Sequence, residues 1–460
     1  MTLTVTDAQT LEQRIQGAGG PVSLLRGPHQ LGPYVFPGIP NEFTSWRDEV
    51  CAWKDGVALL EQSYHMSELH LRGTEIIPFL STIAVNKFDP FPVRRAKQLV
   101  VASPDGYLIG DAILFREDTE FLRLVGAPMA LDWVQFNAES TSFDVTTTLD
   151  HNWSVLEHPR DVFRFQVQGV HALDLVTEAL DGPLPEVGFF GIADISIAGK
   201  PIRALRHGMA GTPGFEIYGP WADQQPVRER LDELGAKYGL RKVGAFAYAT
   251  GAQESGWLPL PLPAIYHSEQ LKPFREWTST FSLESLGSLG GSLVSHRIED
   301  YYVDPIEVGY KNIVDWDRDF VGRDALAERA ENQRRTKVTL VWNDADVTAV
   351  NESALFGIGA SPQYIALPSP MYATWAADAV LSGGEAIGFS QYMSYSANAR
   401  HILSHGIIDV SLAEPGTELT LLWGEPDSRR DNVGSHELRE IRVTVAPTPY
   451  FAKVIKTGTQ

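Results

Sequence analysis

Cysteine is almost absent from this sequence, since Cys51 is the single example among 460 residues. One cysteine cannot form an intramolecular disulfide, and it cannot supply the several thiolates that a metal cluster or a zinc ribbon needs. Cys51 lies between Trp46 and Trp53 on a predicted helix, where a small buried residue is a better interpretation than a nucleophile. The sequence therefore excludes cysteine-based metal sites, and we expect no bound metal.

Basic charge and long apolar runs are also scarce. Lysine and arginine number 38 against 58 acidic residues, which gives a net charge of −20. Nucleic acids and anionic membrane surfaces attract basic patches, so neither is an expected partner. No apolar run approaches the ~18 residues of a membrane span, and the first residues lack the basic start and apolar core of a signal peptide. We therefore expect a cytoplasmic protein, either a monomer or a homodimer.

The chain is long enough for two or three domains, with 43% hydrophobic and 21% charged residues. Between Val162 and Tyr248 the pattern predicts a split β-α-β-β-α-β order with one additional strand, the last strand running from Arg241 to Tyr248. From Thr336 onward, alternating segments broken by glycine and proline predict a small β-barrel or jelly-roll-like domain. The Ser- and Gly-rich stretch from Lys272 to Ser295 is interpreted as a surface connection. The predicted fold class is α+β.

One acidic residue, Glu216, stands in an otherwise apolar strand directly after a glycine-dense turn. The turn reads His207-Gly208-Met209-Ala210-Gly211-Thr212-Pro213-Gly214, and the strand begins Phe215-Glu216-Ile217. A carboxylate is costly to bury unless hydrogen-bond donors meet it. A planar ligand with several N–H groups would supply such donors, whereas the simpler interpretation places Glu216 at a strand edge facing water.

The Gly-x-x-Gly-x-x-Gly-Phe-Glu pattern ending at Glu216 resembles the folate-contacting segment of the aminomethyltransferase family, which includes the T-protein of glycine cleavage. Within that superfamily the sequence is most similar to the tetrahydrofolate-dependent aromatic O-demethylases that act on vanillate, 3-O-methylgallate and syringate. The shared segments extend over nearly the whole chain and include Leu205 to Gly211, Glu254 to Trp257, Pro261 to Tyr266 and Ile298 to Val303.

The resemblance implies an aminomethyltransferase-like fold whose domains surround a central folate channel. Residues 1–335 would form the folate-binding region, as two interleaved α+β subdomains of which the second spans about 155–260. Residues 336–460 would form the C-terminal barrel. Tetrahydrofolate would be the methyl acceptor, and a methoxylated aromatic acid would be the substrate.

The same resemblance assigns residues to the cofactor. Glu216 would accept hydrogen bonds from the pterin N–H groups, Trp257 would stack on or wall the ring, and Gln166 would add an amide contact. Tyr34 would line the same channel.

The resemblance also assigns the substrate pocket. Tyr248 matches the tyrosine that the O-demethylases direct at the methoxy group, and a tyrosine with an ordinary pKa of about 10 carries its proton at neutral pH. Phe36, Gln62 and His65 would surround the aromatic ring, with Tyr248 and His65 as the catalytic pair. An isolated histidine is more often structural, so the assignment of His65 depends on the resemblance.

Two departures from the vanillate-specific members bear on the substrate. Phe36 stands where those members have a tyrosine, and no basic residue lies near Val125 to Ala127, where they carry an arginine for the substrate carboxylate. The missing hydroxyl makes room for a second ring substituent, which favours syringate over vanillate and leaves a methoxylated chlorobenzoate as a competitor. His65, Arg164 or Arg206 are the candidates for binding the carboxylate.

Two other functions remain open from the sequence. A true aminomethyltransferase, or a sulfonium demethylase of the same fold, is one alternative. The segment Gly110-Asp111-Ala112 keeps only one of the two acidic residues usual in aminomethyltransferases, which counts against the first of these. A non-enzymatic folate-binding protein is the other alternative, but the Lys-Gly-Cys-Tyr type of motif found in that group is missing.

Overall fold

The computed structural model describes residues 9–33, 35–152, 160–209, 211–370 and 372–451. Its α-helices are α1 (Leu11–Ala18), α2 (Pro21–Leu25), α3 (Trp46–Asp55), α4 (Ile76–Ile83), α5 (Pro128–Glu139), α6 (Ala172–Ala179), α7 (Gln224–Gly235), α8 (Ala245–Tyr248), α9 (Gly251–Ser255), α10 (Lys272–Trp277), α11 (Leu283–Leu286), α12 (Arg323–Glu331) and α13 (Asp344–Phe356).

The strands fall into two sheets, a closed barrel and one short pair. They are β1 (Val57–Glu61), β2 (Ser67–Arg72), β3 (Arg95–Ala102), β4 (Leu108–Arg116), β5 (Phe121–Gly126), β6 (Thr146–Asp150), β7 (Val162–Gln168), β8 (Ile192–Ile197), β9 (Lys200–Arg206), β10 (Gly214–Pro220), β11 (Leu240–Val243), β12 (Leu289–Gly290), β13 (Arg335–Trp342), β14 (Trp375–Ala376), β15 (Asp378–Ser382), β16 (Glu385–Ser396), β17 (His401–Asp409), β18 (Glu418–Trp423) and β19 (Arg439–Ala446).

A six-stranded sheet in the order β11-β1-β7-β10-β9-β8 organises the first part of the chain. Strand β7 lies near its centre and pairs antiparallel with both β1 and β10. Side chains alternate across a strand, so Phe163, Phe165 and Val167 pack on the face covered by α6 and α7. The intervening polar residues of β7, Arg164, Gln166 and Gln168, lie on the opposite face. This polar face positions the candidate site.

A five-stranded antiparallel sheet, β3-β4-β5-β2-β6, packs with α4 and α5 in the largest hydrophobic core. Buried charges join this sheet to the first one. Arg164 on β7 donates to Glu68 on β2 at 2.7 Å and also to Glu216 on β10, while Arg123 on β5 lies 3.2 Å from Glu68. The charges are buried as compensated pairs, which fixes how the two sheets meet.

The C-terminal part is a closed six-stranded barrel in the order β13-β17-β16-β15-β18-β19. Leu340, Trp342 and Trp423 fill its interior. Its outer face contributes Phe389 and Ile407 to the core of the first part. Helix α9 is joined to the barrel by Glu254, whose carboxylate accepts from Ser396 at 2.6 Å and from Trp53 of α3 at 2.9 Å.

These observations confirm the α+β fold class with its C-terminal barrel. The barrel begins with β13 at Arg335, while the division into domains 1–335 and 336–460 stays a prediction. In the part of the chain that the structure covers, no helix is both long and apolar enough to cross a membrane.

Two predicted elements were wrong. The strand expected from Arg241 to Tyr248 ends at Val243, because the N–H of Gly244 donates to Glu49 Oε2 at 2.8 Å and turns the chain into α8. The stretch from Lys272 to Ser295 is not a surface connection. It forms α10, α11 and β12, and it buries Phe274 and Glu284. Helices this short show too little periodicity to be predicted.

Candidate active site

The hydroxyl of Tyr248 is the centre of a buried polar cluster. Tyr248 ends α8 and is 9% exposed. Its Oη lies 2.9 Å from His65 Nε2 and accepts a hydrogen bond from Gln62 Nε2 at 3.2 Å. Residues separated by more than 180 positions in the chain therefore meet at one phenolic oxygen.

Three aromatic rings enclose the same point. The Phe36 centroid lies 5.2 Å from that of His65 and 4.9 Å from that of Tyr248, and His65 and Tyr248 are 4.7 Å apart. Edge-on and tilted contacts at these separations are the favourable arrangements for aromatic pairs. All four residues predicted for the substrate pocket, including Gln62, are thus brought together, while their roles stay predictions.

The turn after β1 positions two of these residues. The backbone N–H of Gln62 donates to Arg164 O at 3.0 Å and so extends the pairing of β1 with β7. Arg160 then holds the turn by donating to Ser63 O at 2.9 Å and Met66 O at 2.8 Å. Burial, with the nearby Arg160 guanidinium, lowers the pKa of His65 to about 3. His65 is therefore neutral in neutral solution.

Glu216 and Gln166 form a second group on the polar face of the six-stranded sheet. They are directly opposite each other on β10 and β7. Arg164 donates to Glu216 Oε1, and burial raises the pKa of Glu216 while Arg164 opposes that rise. Gln166 Nε2 donates to His207 O at 2.8 Å, which leaves Gln166 Oε1 buried and without a hydrogen bond from the described residues.

The acceptors of this group fit a reduced pterin. Among the described residues, Gln166 Oε1 is buried without a hydrogen-bond donor, and the Arg164 hydrogen bond to Glu216 uses Oε1 and not Oε2. A buried acceptor without a donor is costly, whereas a pterin presents several N–H groups along one edge. The donor–acceptor chemistry of this face therefore matches the predicted cofactor.

Trp257 belongs to a third group around Asp111 of β4. Trp257 Nε1 donates to Asp111 Oδ2 at 3.0 Å, and Tyr310 Oη donates to the same oxygen at 2.7 Å. Burial raises the pKa of Asp111, and these donors oppose the rise. Lys337 of the barrel is close enough to interact with Asp111, and burial lowers the pKa of Lys337 to about 8. Trp257 is thus held where the barrel meets the first part.

Tyr34 lies outside the described residues. Arg164 already pairs with two carboxylates, which compensate its charge, so it is a poor candidate for binding the substrate carboxylate. The guanidinium of Arg206 lies 5.2 Å from the centre of the Phe215 ring. Sequence reasoning missed Tyr310 and Met209 as neighbours of the site. Met209 stood inside a shared motif, but Tyr310 carried no signal.

The buried histidines predict acid sensitivity. His405 on β17 is fully buried, and burial together with Lys337 lowers its pKa to about 3, whereas an unfolded histidine has a pKa of about 6.5. The unfolded chain therefore binds more protons than the native protein between these values, so the free energy of unfolding falls as the pH falls below 6.5. We expect His405→Gln to reduce the slope of the unfolding free energy against pH by up to the equivalent of one bound proton.

Urea midpoints measured between pH 4.5 and 7 test this expectation. The exposed His296, changed to Gln, is the matched control and leaves the slope unchanged. An identical slope for His405→Gln and the native protein contradicts the expectation.

Comparison with known proteins agrees with the fold. Residues 29–260 match the family described as GCVT N-terminal domain. The solved structure of glycine cleavage system aminomethyltransferase T from Bartonella henselae superposes with a TM-score of 0.61 at 16% identity, covering 92% of this chain and 94% of that one. The chain therefore belongs to the GCVT family of aminomethyltransferase-fold proteins.

Two relatives narrow the position within the family. The chain is 40% identical over 454 residues to the syringate O-demethylase of Sphingobium sp., covering 98% of each protein. It is 31% identical over 435 residues to the sesamin methylene transferase of Sinomonas sp., covering 90% of this chain and 91% of that protein. The resemblance to the O-demethylases of this family is confirmed.

Proposed function

We propose that this protein is an O-demethylase that transfers the methyl group of a methoxybenzoate to tetrahydrofolate, giving a phenol and 5-methyltetrahydrofolate. The observation that supports this most is the Tyr248 hydroxyl, held by His65 and Gln62 beside the ring of Phe36, in a chain 40% identical to a syringate O-demethylase. The fold alone would serve an aminomethyltransferase equally well.

The cofactor would be held by the groups around the polar face. Glu216 and Gln166 would accept from the pterin N–H groups, and Trp257 would wall the ring while its indole N–H stays on Asp111. When bound, tetrahydrofolate would supply N5 as the nucleophile that takes the methyl group. Holding both reactants in line lowers the activation barrier by about 7–11 kcal/mol when they are bound in a near-attack geometry.

Tyr248 has the task of protonating the leaving oxygen. An aryl methyl ether is unreactive because its methyl must leave a phenolate, so breaking the O–CH3 bond needs a proton at that oxygen. Tyr248 Oη would donate that proton, a contribution of roughly 10²–10⁴-fold. The acceptor nitrogen releases one proton for each methyl it gains, so the overall reaction is balanced once Tyr248 regains its hydrogen.

His65 orients this hydroxyl without adding charge. A neutral imidazole can accept from Tyr248 or donate to it, depending on which ring nitrogen carries the hydrogen. Since burial and Arg160 lower its pKa to about 3, His65 is neutral at neutral pH in the resting protein. It therefore supports either protonation state of the phenol.

Syringate is the preferred substrate. Phe36 lies in van der Waals reach of both Tyr248 and His65, and its edge carries no hydroxyl that would need a partner. An apolar edge accommodates a second methoxy group or a chlorine better than a hydroxyl-lined one. Vanillate, 3-O-methylgallate and methoxylated chlorobenzoates are the comparison substrates.

The test is a turnover assay with purified protein, tetrahydrofolate and each of these aromatic acids, with detection of 5-methyltetrahydrofolate and the phenol. We expect both products in equal amounts, faster with syringate than with vanillate, and neither when tetrahydrofolate is omitted. A binding protein would give no product from any aryl ether. The proposal would also be contradicted if the protein formed product only from a lipoyl carrier protein bearing an aminomethyl group, or only from a compound with a methylenedioxy ring.

A further inference from the structure

Met209 joins the cofactor face to the catalytic phenol. It follows β9 in the glycine-dense turn that leads into β10. Its backbone N–H donates to Gln168 Oε1 at 2.6 Å, and Gln168 lies on the same face of β7 as Gln166. The position of Met209 is therefore set by the strand that also carries the proposed cofactor contact.

The thioether of Met209 reaches the hydrogen-bond cluster around Tyr248. Met209 Sδ lies 3.1 Å from Gln62 Nε2 and 3.9 Å from Tyr248 Oη. A thioether sulfur accepts weak hydrogen bonds and has no hydrogen to donate. The NH₂ end of the Gln62 amide can therefore donate a hydrogen bond to this sulfur, whereas the oxygen end cannot.

This preference bears on how the Gln62 amide is turned. The two ends of an amide have nearly the same shape, so the surrounding hydrogen-bond groups decide its orientation. Gln62 is 2% exposed, and Gln62 Oε1 meets no donor in the described ranges of the chain. Because no described residue donates to the oxygen end, the sulfur selects the NH₂ end for the side that faces Tyr248.

The orientation of the amide decides the direction of the phenolic hydrogen. With the NH₂ end toward Tyr248, the oxygen Oη accepts from Gln62, and its own hydrogen points to another acceptor, such as His65, the Met209 sulfur or an ether oxygen in the pocket. With the amide reversed, Gln62 Oε1 would accept the phenolic hydrogen. The phenolic hydrogen would then be held in a hydrogen bond to Gln62 and would not be directed at the leaving oxygen.

We propose that Met209 is a positioning residue for the general acid: its sulfur keeps the Gln62 amide as a donor to Tyr248 and so directs the phenolic proton at the substrate. This inference rests on the proposed function. It also gives the glycine-dense turn a role beyond the cofactor, because Gln168 holds the residue that orients the acid.

A double-mutant cycle tests this coupling. Met209→Leu keeps the size and the apolar contact of the side chain but removes the acceptor. We expect kcat to fall about 10-fold, the loss of one orienting hydrogen bond, with an unchanged KM for tetrahydrofolate. In the Gln62→Leu background no amide remains to be turned, so Met209→Leu has no further effect.

Met129→Leu, a buried methionine on α5, is the control for general packing effects and leaves kcat unchanged. An equal loss from Met209→Leu in both backgrounds overturns the proposal, because a packing role would not depend on Gln62.

A binding measurement without tetrahydrofolate supplies a second readout. Calorimetry compares a methoxybenzoate with the analogue in which an ethyl group replaces the methoxy group. The two ligands are similar in size, but only the methoxybenzoate has an ether oxygen that can accept the phenolic hydrogen. We expect the native protein to favour the ether by about 3- to 10-fold and Met209→Leu to lose that preference. No preference in the native protein, or the same preference in both, overturns the inference.

The two readouts separate this inference from the proposed function. Absence of demethylation in the native protein counts against the proposed function, and the binding ratios then decide the inference alone. Demethylation with no coupling between Met209 and Gln62 overturns only the inference.

Discussion

Tyr248→Phe is expected to lower kcat at least about 100-fold, the lower bound for losing a general acid, and to leave the affinity for tetrahydrofolate nearly unchanged. The phenylalanine ring keeps the packing against Phe36, whose centroid lies 4.9 Å away, so only the hydroxyl is lost. Single-turnover kinetics with saturating tetrahydrofolate measure the chemical step, and fluorescence titration measures the affinity.

The matched control is Tyr364→Phe, which removes a hydroxyl from an exposed tyrosine in the C-terminal part. We expect that variant to turn over at the native rate. If Tyr248→Phe retained turnover within about threefold of native, far short of the loss of a general acid, Tyr248 would have no such role.

Glu216→Gln has the second large expected effect, on the cofactor. The amide keeps the size of the side chain, and its oxygen can still accept from Arg164, but it lacks the negative charge that we propose faces the pterin. Hydrogen bonds to a charged acceptor contribute about 1.5–3 kcal/mol, so tetrahydrofolate should bind roughly 10- to 100-fold more weakly. Glu216→Ala should weaken binding as well, and it also leaves Arg164 with one carboxylate fewer.

Glu68→Gln is the control for this prediction. Glu68 pairs with the same Arg164 at 2.7 Å and is equally buried, but it belongs to β2 and not to the polar face of β10. We expect this change to lower the free energy of unfolding while the affinity for tetrahydrofolate stays close to native. Normal tetrahydrofolate affinity in Glu216→Gln would remove Glu216 from the cofactor site.

Much of the arrangement could be predicted from the sequence because its signals are local. The alternation Phe163, Phe165, Val167 against Arg164 and Gln166 predicts a strand with one polar face. The glycine pattern ahead of Glu216 is equally local. Pairing of β7 with β10 then puts Gln166 opposite Glu216.

Other features could not be predicted because they depend on contacts between distant parts of the chain. The pairing of Arg164 with Glu216, and the contact of Met209 with Gln62, each join residues on separate elements. Tyr310 reaches Asp111 from a loop 199 positions away. Tyr248 was expected on a strand, and the glycine before α8 moves it onto a helix instead.

The most direct test of the proposed chemistry follows the methyl carbon itself. Syringate carrying a ¹³C-methoxy group is incubated with the protein and tetrahydrofolate, and the products are examined by ¹³C NMR. Transfer to the folate predicts that the label appears in the N5-methyl group of 5-methyltetrahydrofolate, in step with formation of the phenol. Label found as methanol or formaldehyde, or label that stays in syringate, would contradict that chemistry.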